Sequence, residues 1–516
     1  MKRKAIILLC SMLTIALMLP FTVNAKAAEL YDITTVAGSG NFGVQNGASL
    51  SATFLTPQAL TVLKDGSLLV TGSQSHLIRQ IKDGQVSVFA GITFDTDHLG
   101  LPVGGLVDGK KGEAIFQSPR GIATDTSGNL YIADSDNNVI RKIDTRGNVT
   151  TFAGSPDGVM GMKDGKSGQA LFYHPTDIAI TANGTIYVAD TLNHVIRKIS
   201  PTGIVTTLNS SSDRAVQAYG GEVELAGDYK DGKLSEAKFN EPSGLALDAE
   251  GNLYVSDSGN QLVRYIDFSE GTVTTVAGNK DVVYPRDALY AIGDYVDGKA
   301  DEARFDFPKG IAVTAEGGLL IADSSNNAVR YYFEGKVITI VGTLDADFGD
   351  VDGGERTARL HHPTDVAVAA NGDIYVADAY NNKIKKLSAY VLPAELKIDG
   401  SIHVVNGSKI IAFDAKPEII NNRVMVPVRA VAESLGYEVN LSDPTKVVLT
   451  KGDISIELTI GSLNVKKSVG NLAETAAIDS APYIKDNRTY VPVRFISEQL
   501  SKQVDWLVDS RAVIIR

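Results

Sequence analysis

Two segments of the sequence place a histidine and an aspartate around the same Pro-Thr pair. They read His174-Pro-Thr-Asp177 and His362-Pro-Thr-Asp365. Imidazole nitrogens and carboxylate oxygens are ligands of Zn²⁺ and similar divalent ions. If the fold brings the two segments together, these four residues could hold a divalent metal. The alternative is that a histidine before a proline only packs, and His361 beside His362 leaves the ligand assignment ambiguous.

Charged and aromatic residues at related positions favour a binding surface instead. Arg120 and Lys309 each follow a proline that corresponds to the prolines of those two segments. Tyrosines beside aspartates occur in residues 219–229 and 284–295, and this combination suits sugars or cationic groups through stacking and hydrogen bonding. A solvated loop without a ligand is the alternative. The candidate ligand-binding residues are Arg120, Lys309, Tyr219, Tyr229, Tyr284, Tyr290 and Tyr295.

Other catalytic signatures are missing from the 516 residues. The sequence has no Gly-x-Ser-x-Gly elbow, no His-Glu-x-x-His pair and no phosphate-binding loop, and its one cysteine is Cys10. The formal net charge of −12 disfavours nucleic acid or an anionic membrane as a partner. The hydrophobic share of 44% is that of a globular chain, and the length predicts more than one domain.

The candidate residues lie among internal repeats. The block Tyr131-Ile-Ala-Asp-Ser-Asp-Asn-Asn-Val-Ile-Arg141 has four later copies and one degenerate earlier copy that ends at Arg79. Each copy predicts a strand, a turn and a second strand. In the turn, aspartate and asparagine side chains bond nearby backbone, and asparagine tolerates the left-handed conformation. The aspartates that anchor the five clear copies are Asp134, Asp190, Asp257, Asp323 and Asp378.

Two further strands complete each repeat. A proline opens a strand before each block, and a last strand follows it, as in Val149-Thr-Thr-Phe-Ala-Gly154. Four short strands per repeat are typical of a propeller blade. Most repeats also have an Asp-Gly turn and a nearby phenylalanine before the proline, which predicts a turn and an apolar plug between blades. The six prolines are Pro57, Pro119, Pro175, Pro242, Pro308 and Pro363.

The start of the repeat region supplies the strand that the last repeat lacks. The sixth repeat ends at Leu387 without a last strand, whereas Ile33-Thr-Thr-Val-Ala-Gly38 stands unpartnered before the first repeat. We therefore predict an all-β six-bladed β-propeller whose ring is closed by its N-terminal strand, an arrangement that also protects strand edges. Blades three and six then face each other across the channel, as do blades two and five.

The Tyr-Val-Ala-Asp-x-x-Asn-x-x-Ile-Arg pattern resembles the NHL repeat over about residues 33–387. The resemblance implies a six-bladed propeller. Members of this family range from extracellular sensors and protein- or RNA-binding scaffolds to a zinc-dependent lyase that acts on amidated-peptide precursors, so the family leaves the function open. The Pro-Thr-Asp-Val-Ala segment that begins at Pro363 is similar to that lyase, but the three positions of the lyase's zinc histidines have no match here.

The pattern changes after Leu392-Pro393. Asn422-Arg-Val-Met-Val-Pro-Val-Arg429 returns as Asn487-Arg-Thr-Tyr-Val-Pro-Val-Arg494, and each copy predicts a strand that runs into a helix. Residues 391–516 are thus predicted to form a small duplicated α+β domain. They resemble the copper amine oxidase N-terminal-like domain, a stalk module of exported Gram-positive proteins. The oxidase active site belongs to a different domain, so the resemblance does not imply amine oxidase activity.

Residues 1–28 have the features of an export signal. Lys2-Arg3-Lys4 precede an uncharged apolar run from Ala5 to Val23 and the segment Ala25-Lys26-Ala27-Ala28. An uncleaved anchor is the alternative. We expect cleavage, no membrane span in the remaining chain, and a secreted, extracellular protein with cell-wall association as an option. The propeller is then expected over residues 29–390.

Two functions agree with these features. The first is an exported, non-enzymatic binding or scaffold protein. Its propeller loops would bind an extracellular or cell-envelope ligand, protein or glycan, with the C-terminal domain as a spacer or envelope contact. The second is a metal-dependent lyase or hydrolase that works in the channel through His174, Asp177, His362 and Asp365. Bound metal that is lost on substitution of His362 would favour the enzyme, and loss of ligand capture after trimming of the tyrosine-containing loops would favour the binding protein.

Overall fold

The structure of this chain is a computed structural model that describes residues 30–217, 223–343, 345–499 and 502–516. The predicted export signal and Tyr219 lie outside these residues. Between Tyr31 and Ala389 the chain forms six antiparallel sheets of five strands each. The inner strand of each sheet packs beside the inner strand of the next, all the way round. The predicted all-β six-bladed propeller is confirmed.

Blade 2 illustrates the common plan. Its inner strand is Pro119–Thr124, followed by Leu130–Asp134, Val139–Ile143 and the outer strand Asn148–Ala153. A fifth strand of two residues, Gly109–Lys110, pairs outside the outer strand. The sequence did not predict this fifth strand, because two residues are too short to show a period-2 pattern.

The other five blades repeat this plan. In the order inner, second, third, outer and fifth, their strands are Pro57–Val62, Leu68–Gly72, Leu77–Lys82, Gln85–Ala90 and Gly47–Ala48 in blade 1; Pro175–Ile180, Ile186–Asp190, Val195–Ile199, Ile204–Thr207 and Gly165–Lys166 in blade 3; Pro242–Leu247, Leu253–Asp257, Leu262–Asp267, Thr272–Ala277 and Gly232–Lys233 in blade 4; Pro308–Val313, Leu319–Asp323, Ala328–Phe333, Lys336–Val341 and Gly298–Lys299 in blade 5; Pro363–Val368, Ile374–Asp378, Lys383–Ala389, Tyr31–Ala37 and Gly353–Gly354 in blade 6.

The N-terminal strand closes the ring, as predicted. Tyr31–Ala37 pairs antiparallel with Lys383–Ala389, with Ile33 opposite Leu387. Its other edge is paired with Gly353–Gly354. The strand therefore stands where the outer strand of blade 6 belongs, and both of its edges are covered.

The blades are joined by separate apolar clusters, one at each blade boundary. Between blades 1 and 2, fully buried Phe116 and Ala114 pack against Leu69 and Ile132. Phe172, Phe239 and Phe305 have the same place in the following boundaries. The prediction that the Asp-Gly…Phe loops end in an apolar plug between blades is therefore confirmed.

A buried ion pair holds the turn of the repeat in blades 2 to 5. In blade 2, Asp134 accepts hydrogen bonds from the Gln117 backbone N–H (2.7 Å), from Asn137 Nδ2 (2.8 Å) and from Arg141 Nη1 (2.8 Å). The fully buried Arg141 also reaches Asp108 in the loop that precedes the blade. Burial raises the pKa of Asp134 to about 6, against the opposing effect of Arg141. Blades 3, 4 and 5 repeat these contacts through Arg197, Arg264 and Arg330.

Blade 1 keeps the buried cation and lacks the acids. Gly72 occupies the position of the anchoring aspartate, and Arg79 donates instead to the carbonyl oxygens of Thr53 and Gln45. Its guanidinium stacks on Phe54, and burial lowers its pKa to about 10. Within the described residues, Arg79 makes no ion pair with a carboxylate, so its charge is satisfied by carbonyl dipoles and an aromatic face.

The C-terminal region is built mainly from strands. Its two helices, Val428–Ser434 and Val493–Gln499, have seven residues each. The two copies of the duplicated motif meet directly, because Arg423–Pro427 pairs antiparallel with Arg488–Pro492. The remaining strands are His403–Asn406, Lys409–Ile410, Glu418–Ile420, Glu438–Asn440, Lys446–Lys451, Ile454–Thr459, Asn464–Val469, Leu472–Ala477, Tyr483–Lys485, Val504–Leu507 and Ala512–Ile515.

The helices pack their apolar faces on these sheets. Val428, Val431 and Ala432 are buried in one cluster with strand residues such as Leu449 and Ile456. Pro427 ends a strand and occupies the N-cap position, directly before the first helical residue Val428. Among the described helices, none is both long and apolar enough to cross a membrane.

The C-terminal region contacts the closing strand of the propeller. Arg516 donates to the Tyr31 carbonyl oxygen (2.8 Å), to Glu355 Oε2 (2.7 Å) and to Asp505 Oδ2 (2.9 Å). Gln503 Nε2 also donates to Glu355 Oε1 (2.6 Å). These charge-assisted hydrogen bonds tie the last strands of the chain to blade 6.

We expect Arg141→Met to lower the free energy of unfolding by about 3–5 kcal/mol, because it leaves the buried Asp134 carboxylate without its cation. Arg79→Met should cost only about 1–2 kcal/mol, because it removes hydrogen bonds to carbonyl oxygens and leaves no carboxylate unpaired. Urea unfolding of both variants beside the unmodified protein measures the difference. An equal or larger loss for Arg79→Met would contradict this account of the buried arginines.

Candidate functional site

Each inner strand is preceded by a residue in the left-handed region, directly before the proline. The six residues are Thr56, Ser118, His174, Glu241, Phe307 and His362, with φ between 48° and 57°. Left-handed backbone is unfavourable for residues other than glycine, and a following proline restricts the backbone further. An external contact must therefore hold these residues, which we call the pre-proline residues.

That contact is a hydrogen bond to the neighbouring blade. The backbone N–H of each pre-proline residue donates to the side chain of the residue that ends the turn in the blade before it. For example, the His174 N–H donates to Asn138 Oδ1 at 2.9 Å. The turn residues are themselves left-handed. The pairs are Asn382 with Thr56, His76 with Ser118, Asn138 with His174, His194 with Glu241, Gln261 with Phe307, and Asn327 with His362.

These six inter-blade bonds fix the end of the channel, where a cavity of about 300 Å³ opens. One residue from each blade, directly after the proline, lines it: Gln58, Arg120, Thr176, Ser243, Lys309 and Thr364. We call this the channel-mouth cavity. Five residues singled out in the sequence line it together: Arg120, His174, Asp177, Lys309 and Asp365.

The two aspartates are held by backbone donors. Asp177 accepts from the Leu245 N–H (2.7 Å) and the Ile178 N–H (2.8 Å), and Asp365 accepts from the Leu60 N–H (2.7 Å). Each carboxylate thus ties its inner strand to the next one. Burial raises the pKa of Asp177 to about 7, and burial together with the Asp177 charge raises that of Asp365 well above the ordinary value. A Cβ at Gly121 or Gly310 would collide with these carboxylates, which explains glycine in blades 2 and 5.

The two histidines do not converge with the aspartates on one point. His174 Nδ1 lies 3.0 Å from Asp136 Oδ1, and His362 Nε2 lies 3.1 Å from Lys309 Nζ. His362 is not among the residues that line the cavity. In the described part of the chain, no three histidine, cysteine or acidic side chains are grouped closely enough to hold a metal ion. The residues expected to bind a divalent metal therefore do not fit one, because their polar atoms are already bonded within the protein or face a cation.

Arg120 and Lys309 approach the cavity from opposite blades. Arg120 Nη1 donates to Gln58 Oε1 at 3.2 Å, and its Nε has no hydrogen-bond partner. Burial lowers the pKa of Arg120, and burial and the Arg120 charge lower that of Lys309 to about 8. Two cations thus share one polar cavity.

Glu241 is the cavity residue that sequence reasoning missed. It is the pre-proline residue of blade 4, and its carboxylate accepts from Tyr290 Oη at 2.9 Å. Burial raises its pKa. Alignment of the repeats on their prolines would have found it, since Glu241 stands in register with His174 and His362.

The tyrosines proposed as ligand contacts have partners within the protein. Tyr229 and Tyr295 stack on the buried Arg264 and Arg330, at 4.8 Å from each guanidinium carbon to the ring centre. Tyr284 donates to Asn260 Oδ1 and stacks on Arg214. These three tyrosines therefore stabilise loops, whereas Tyr290 stands at the cavity through Glu241. Tyr219 lies outside the described residues.

Arg214 joins the two tyrosine-containing loops. Its guanidinium donates to the carbonyl oxygens of Gly227, Ala288 and Leu289. Asn240 Nδ2 also donates to the Leu289 oxygen at 2.8 Å. The loop of residues 284–295 is thus fastened to blade 4, and it places Tyr290 within hydrogen-bond distance of the cavity residue Glu241.

Two family models match the chain. The NHL repeat matches residues 116–143, 172–199, 239–264 and 360–387, and the copper amine oxidase N-terminal domain matches residues 404–515. The chain therefore contains NHL repeats followed by a copper amine oxidase N-terminal domain. The matched NHL segments belong to blades 2, 3, 4 and 6.

Curated relatives share the repeat region. NHL repeat-containing protein 2 of Gallus gallus is 30% identical over 385 residues, which cover 68% of this chain and 48% of that protein. The chloroplastic protein SUPPRESSOR OF QUENCHING 1 of Arabidopsis thaliana is 28% identical over 306 residues, 57% of this chain and 28% of that protein. This chain thus spans less than half the length of either relative.

Solved structures with similar architecture include several bacterial proteins. An auxiliary nutrient binding protein of Bacteroides thetaiotaomicron aligns with a TM-score of 0.49 at 16% identity, over 70% of this chain and 76% of that one. A streptogramin B lyase aligns with a TM-score of 0.41 at 13% identity, over 70% of this chain and 98% of that one. At these sequence identities and TM-scores, the likeness carries no inference about function.

The inter-blade bond at His194 generates a pH prediction. Burial lowers the pKa of His194 to about 4, and its Nδ1 must stay unprotonated to accept from the Glu241 N–H. Between pH 6.5 and 4 the unfolded chain takes up a proton at this histidine and the folded chain does not. This titration therefore lowers the free energy of unfolding of the protein as pH falls, by about 1.4 kcal/mol per pH unit.

His194→Asn removes this loss, because asparagine accepts the same bond at Asn138, Asn327 and Asn382 and does not titrate. Melting temperatures of the variant and the unmodified protein between pH 7.5 and 4.5 test it, and the variant should gain on the unmodified protein as pH falls. Asn138→His is the reciprocal control and should show the opposite trend. A stability difference that is constant across this range would rule out the proposed titration.

Proposed function

From a chain that combines NHL repeats with a copper amine oxidase N-terminal domain, we propose a non-enzymatic binding protein whose ligand is held in the channel-mouth cavity. The observation that carries this proposal is the break in six-fold repetition at that cavity. At the turn of the repeat, blades 2 to 5 use the same residues for the same internal contact, the pair that Asp134 and Arg141 form in blade 2. In the cavity, the blades present Gln58, Arg120, Thr176, Ser243, Lys309 and Thr364 at one equivalent position.

The hydroxyl groups of Thr176, Ser243 and Thr364 donate to backbone carbonyl oxygens of the next blade, so these three residues have a structural role. The departure from repetition therefore lies in Gln58, Arg120 and Lys309, whose different polar groups suit a ligand of low symmetry. Pockets for small ligands are concave and place a few polar groups that fix the orientation of the ligand. The cavity has this form, and Tyr290 donates to Glu241, one of its lining residues. We assign ligand contact to Arg120, Lys309, His174 and Glu241.

The divalent-metal alternative, a lyase or hydrolase in the channel, has less support. Its four residues form separate contacts, His174 with Asp136 and His362 with Lys309. A metal ion at His362 would stand beside the ammonium group of Lys309, and the two positive charges repel. Binding without metal chemistry agrees better with this arrangement.

We propose that the protein is exported and works outside the cell, at the envelope or free of it. This rests on the basic start, the apolar run and the Ala25-Lys26-Ala27-Ala28 segment of the sequence. The C-terminal region, which contacts blade 6 through Arg516, is then a spacer or an envelope contact. In this arrangement the channel-mouth cavity samples solutes outside the cell.

The binding proposal is tested by filling the cavity. Leu192 lines it, and Leu192→Trp should occupy the space that a ligand needs. A panel of sugars, organic acids, amino acids and phosphate esters is screened by thermal shift, and hits are measured by calorimetry. We expect at least one compound to bind, with an affinity at least tenfold weaker for Leu192→Trp.

Ile204→Trp provides the matched control. Ile204 is a partly exposed aliphatic residue of the same blade, on its outer strand and away from the cavity. The control should bind the hit as tightly as the unmodified protein. The proposal fails if the panel yields no hit, or if the hit binds Leu192→Trp as well as it binds the control.

A further inference from the structure

We infer that the ligand of the channel-mouth cavity is a small oxyanion, a molecule with a carboxylate or phosphate group held between Arg120 and Lys309. This inference rests on the proposed binding function and specifies its ligand class. It follows from the pairing of charges in the protein, from the state of the acids in the cavity, and from the size of the cavity.

The buried cations of the propeller are nearly all paired with carboxylates. Arg141, Arg197, Arg264 and Arg330 each contact two aspartates, and Lys385 contacts Asp350 and Asp352. Arg79 and the half-buried Arg214 are exceptions, and both place their donors on carbonyl oxygens outside the residues that line the cavity. A buried cation costs free energy unless an opposite charge or hydrogen-bond acceptors lie beside it, so cations of the scaffold are expected to be paired.

Arg120 and Lys309 are different, since neither forms an ion pair with a carboxylate among the described residues. Arg120 donates to the neutral Gln58 and, unlike Arg141, to no aspartate among the described residues. In the described part of the chain, the hydrogen-bond partner of Lys309 is His362, whose ring is neutral because burial lowers its pKa to about 4. Both side chains line one cavity from facing blades. Unused guanidinium donors and an ammonium group across a gap suit an oxyanion, which accepts from both.

The acids of the cavity offer little repulsion to such a ligand. Asp177 and Asp365 take backbone N–H bonds, and their raised pKa values, about 7 for Asp177, reduce the negative charge that they carry at neutral pH. Asp136 is engaged by His174, and Glu241 accepts from Tyr290. Asp136 and Glu241 act on Arg120 and Lys309 from a distance, and among the described residues neither acid forms an ion pair with these cations. The donors of both cations are therefore left for a ligand.

The size of the cavity limits the ligand to a small molecule. About 300 Å³ is at the lower end of the range for ligand pockets, so a folded partner or a bulky polymer does not enter. A carboxylate and a phosphate ester share the required chemistry and differ in charge and shape. Inorganic phosphate and succinate are suitable minimal probes for the two.

Titration calorimetry at pH 7 with phosphate, succinate and neutral glucose tests the inference on the full chain. We expect phosphate or succinate to bind and glucose not to bind. Arg120→Gln and Lys309→Met should each weaken anion binding at least tenfold, whereas Arg120→Lys should retain part of it. Arg146→Gln and Lys64→Met remove exposed cations elsewhere on the propeller and should leave binding unchanged. Melting temperatures establish that each variant is folded.

The outcomes separate this inference from the function on which it rests. Anion binding that survives both cavity substitutions overturns the inference, as does the absence of any anion binding. If a neutral compound then binds and Leu192→Trp blocks it, the binding function stands without the oxyanion. If no probe or panel compound binds, both fail. Tighter binding of phosphate than of succinate would identify a phosphate group as the ligand's oxyanion, and tighter binding of succinate would identify a carboxylate.

A pH profile distinguishes charge from mere packing. The pKa of Lys309 is about 8, so anion binding should weaken between pH 7 and 9 as the ammonium group loses its proton. Lys309→Arg should lose less affinity than the unmodified protein across this range, because a guanidinium stays charged while the deprotonation of Asp177 weakens anion binding in both proteins. An equal decline in both proteins would overturn the role of Lys309. The groups that face Lys309 or share the cavity are His362, Arg120, Glu241, His174, Asp177 and Asp365.

Discussion

Each pre-proline N–H donates a hydrogen bond to a turn side chain of the preceding blade, and the rest of the propeller depends on this contact. It holds six residues in a backbone conformation that they would not adopt alone. It also fixes where each inner strand starts, and so where the first side chains of that strand point. Because the bond uses only the backbone of the pre-proline residue, the side chain is free to vary. His174, Glu241 and Phe307 can therefore share one structural role and still give the cavity different chemistry.

The buried charged residues show the same separation between those that stabilise the scaffold and those that line the site. In four blades the buried arginine is neutralised by an aspartate of its own turn and one of the preceding loop, as Arg141 is. Satisfied in this way, these pairs are fixed parts of the interior. Arg120 and Lys309 stand directly before Gly121 and Gly310, which pack against Asp177 and Asp365 of the neighbouring strands, and among the described residues neither cation forms an ion pair with an acid. A repeat protein can thus use the same residue types for stability and for recognition, provided that the site lies where the repeated contacts stop.

The propeller could be predicted almost completely from the sequence, because repetition multiplies weak local signals. The closing strand Tyr31–Ala37 was identified from an unequal count of strands, which is a topological constraint. The site was predicted less well. His174 and His362 occupy equivalent positions, yet their rings turn to different partners, Asp136 and Lys309, and side-chain direction is not encoded in spacing. Tyr229 and Tyr295 were expected to meet a ligand, but each lies on a buried arginine whose position only the packed fold defines.

The borrowed strand of blade 6 affects the order in which the chain can fold. Tyr31 pairs opposite Ala389, so this strand waits for nearly all of the repeat region to be synthesised before it meets its partner. During that interval both it and the unfinished sixth blade expose unpaired backbone, and closing such a long loop is entropically slow. A permuted chain with Tyr31–Ala37 moved next to Ala389 would make the same blade from contiguous sequence. The N-terminal position of this strand therefore affects the folding rate and the time during which the chain can aggregate, more than it affects the structure of the folded propeller.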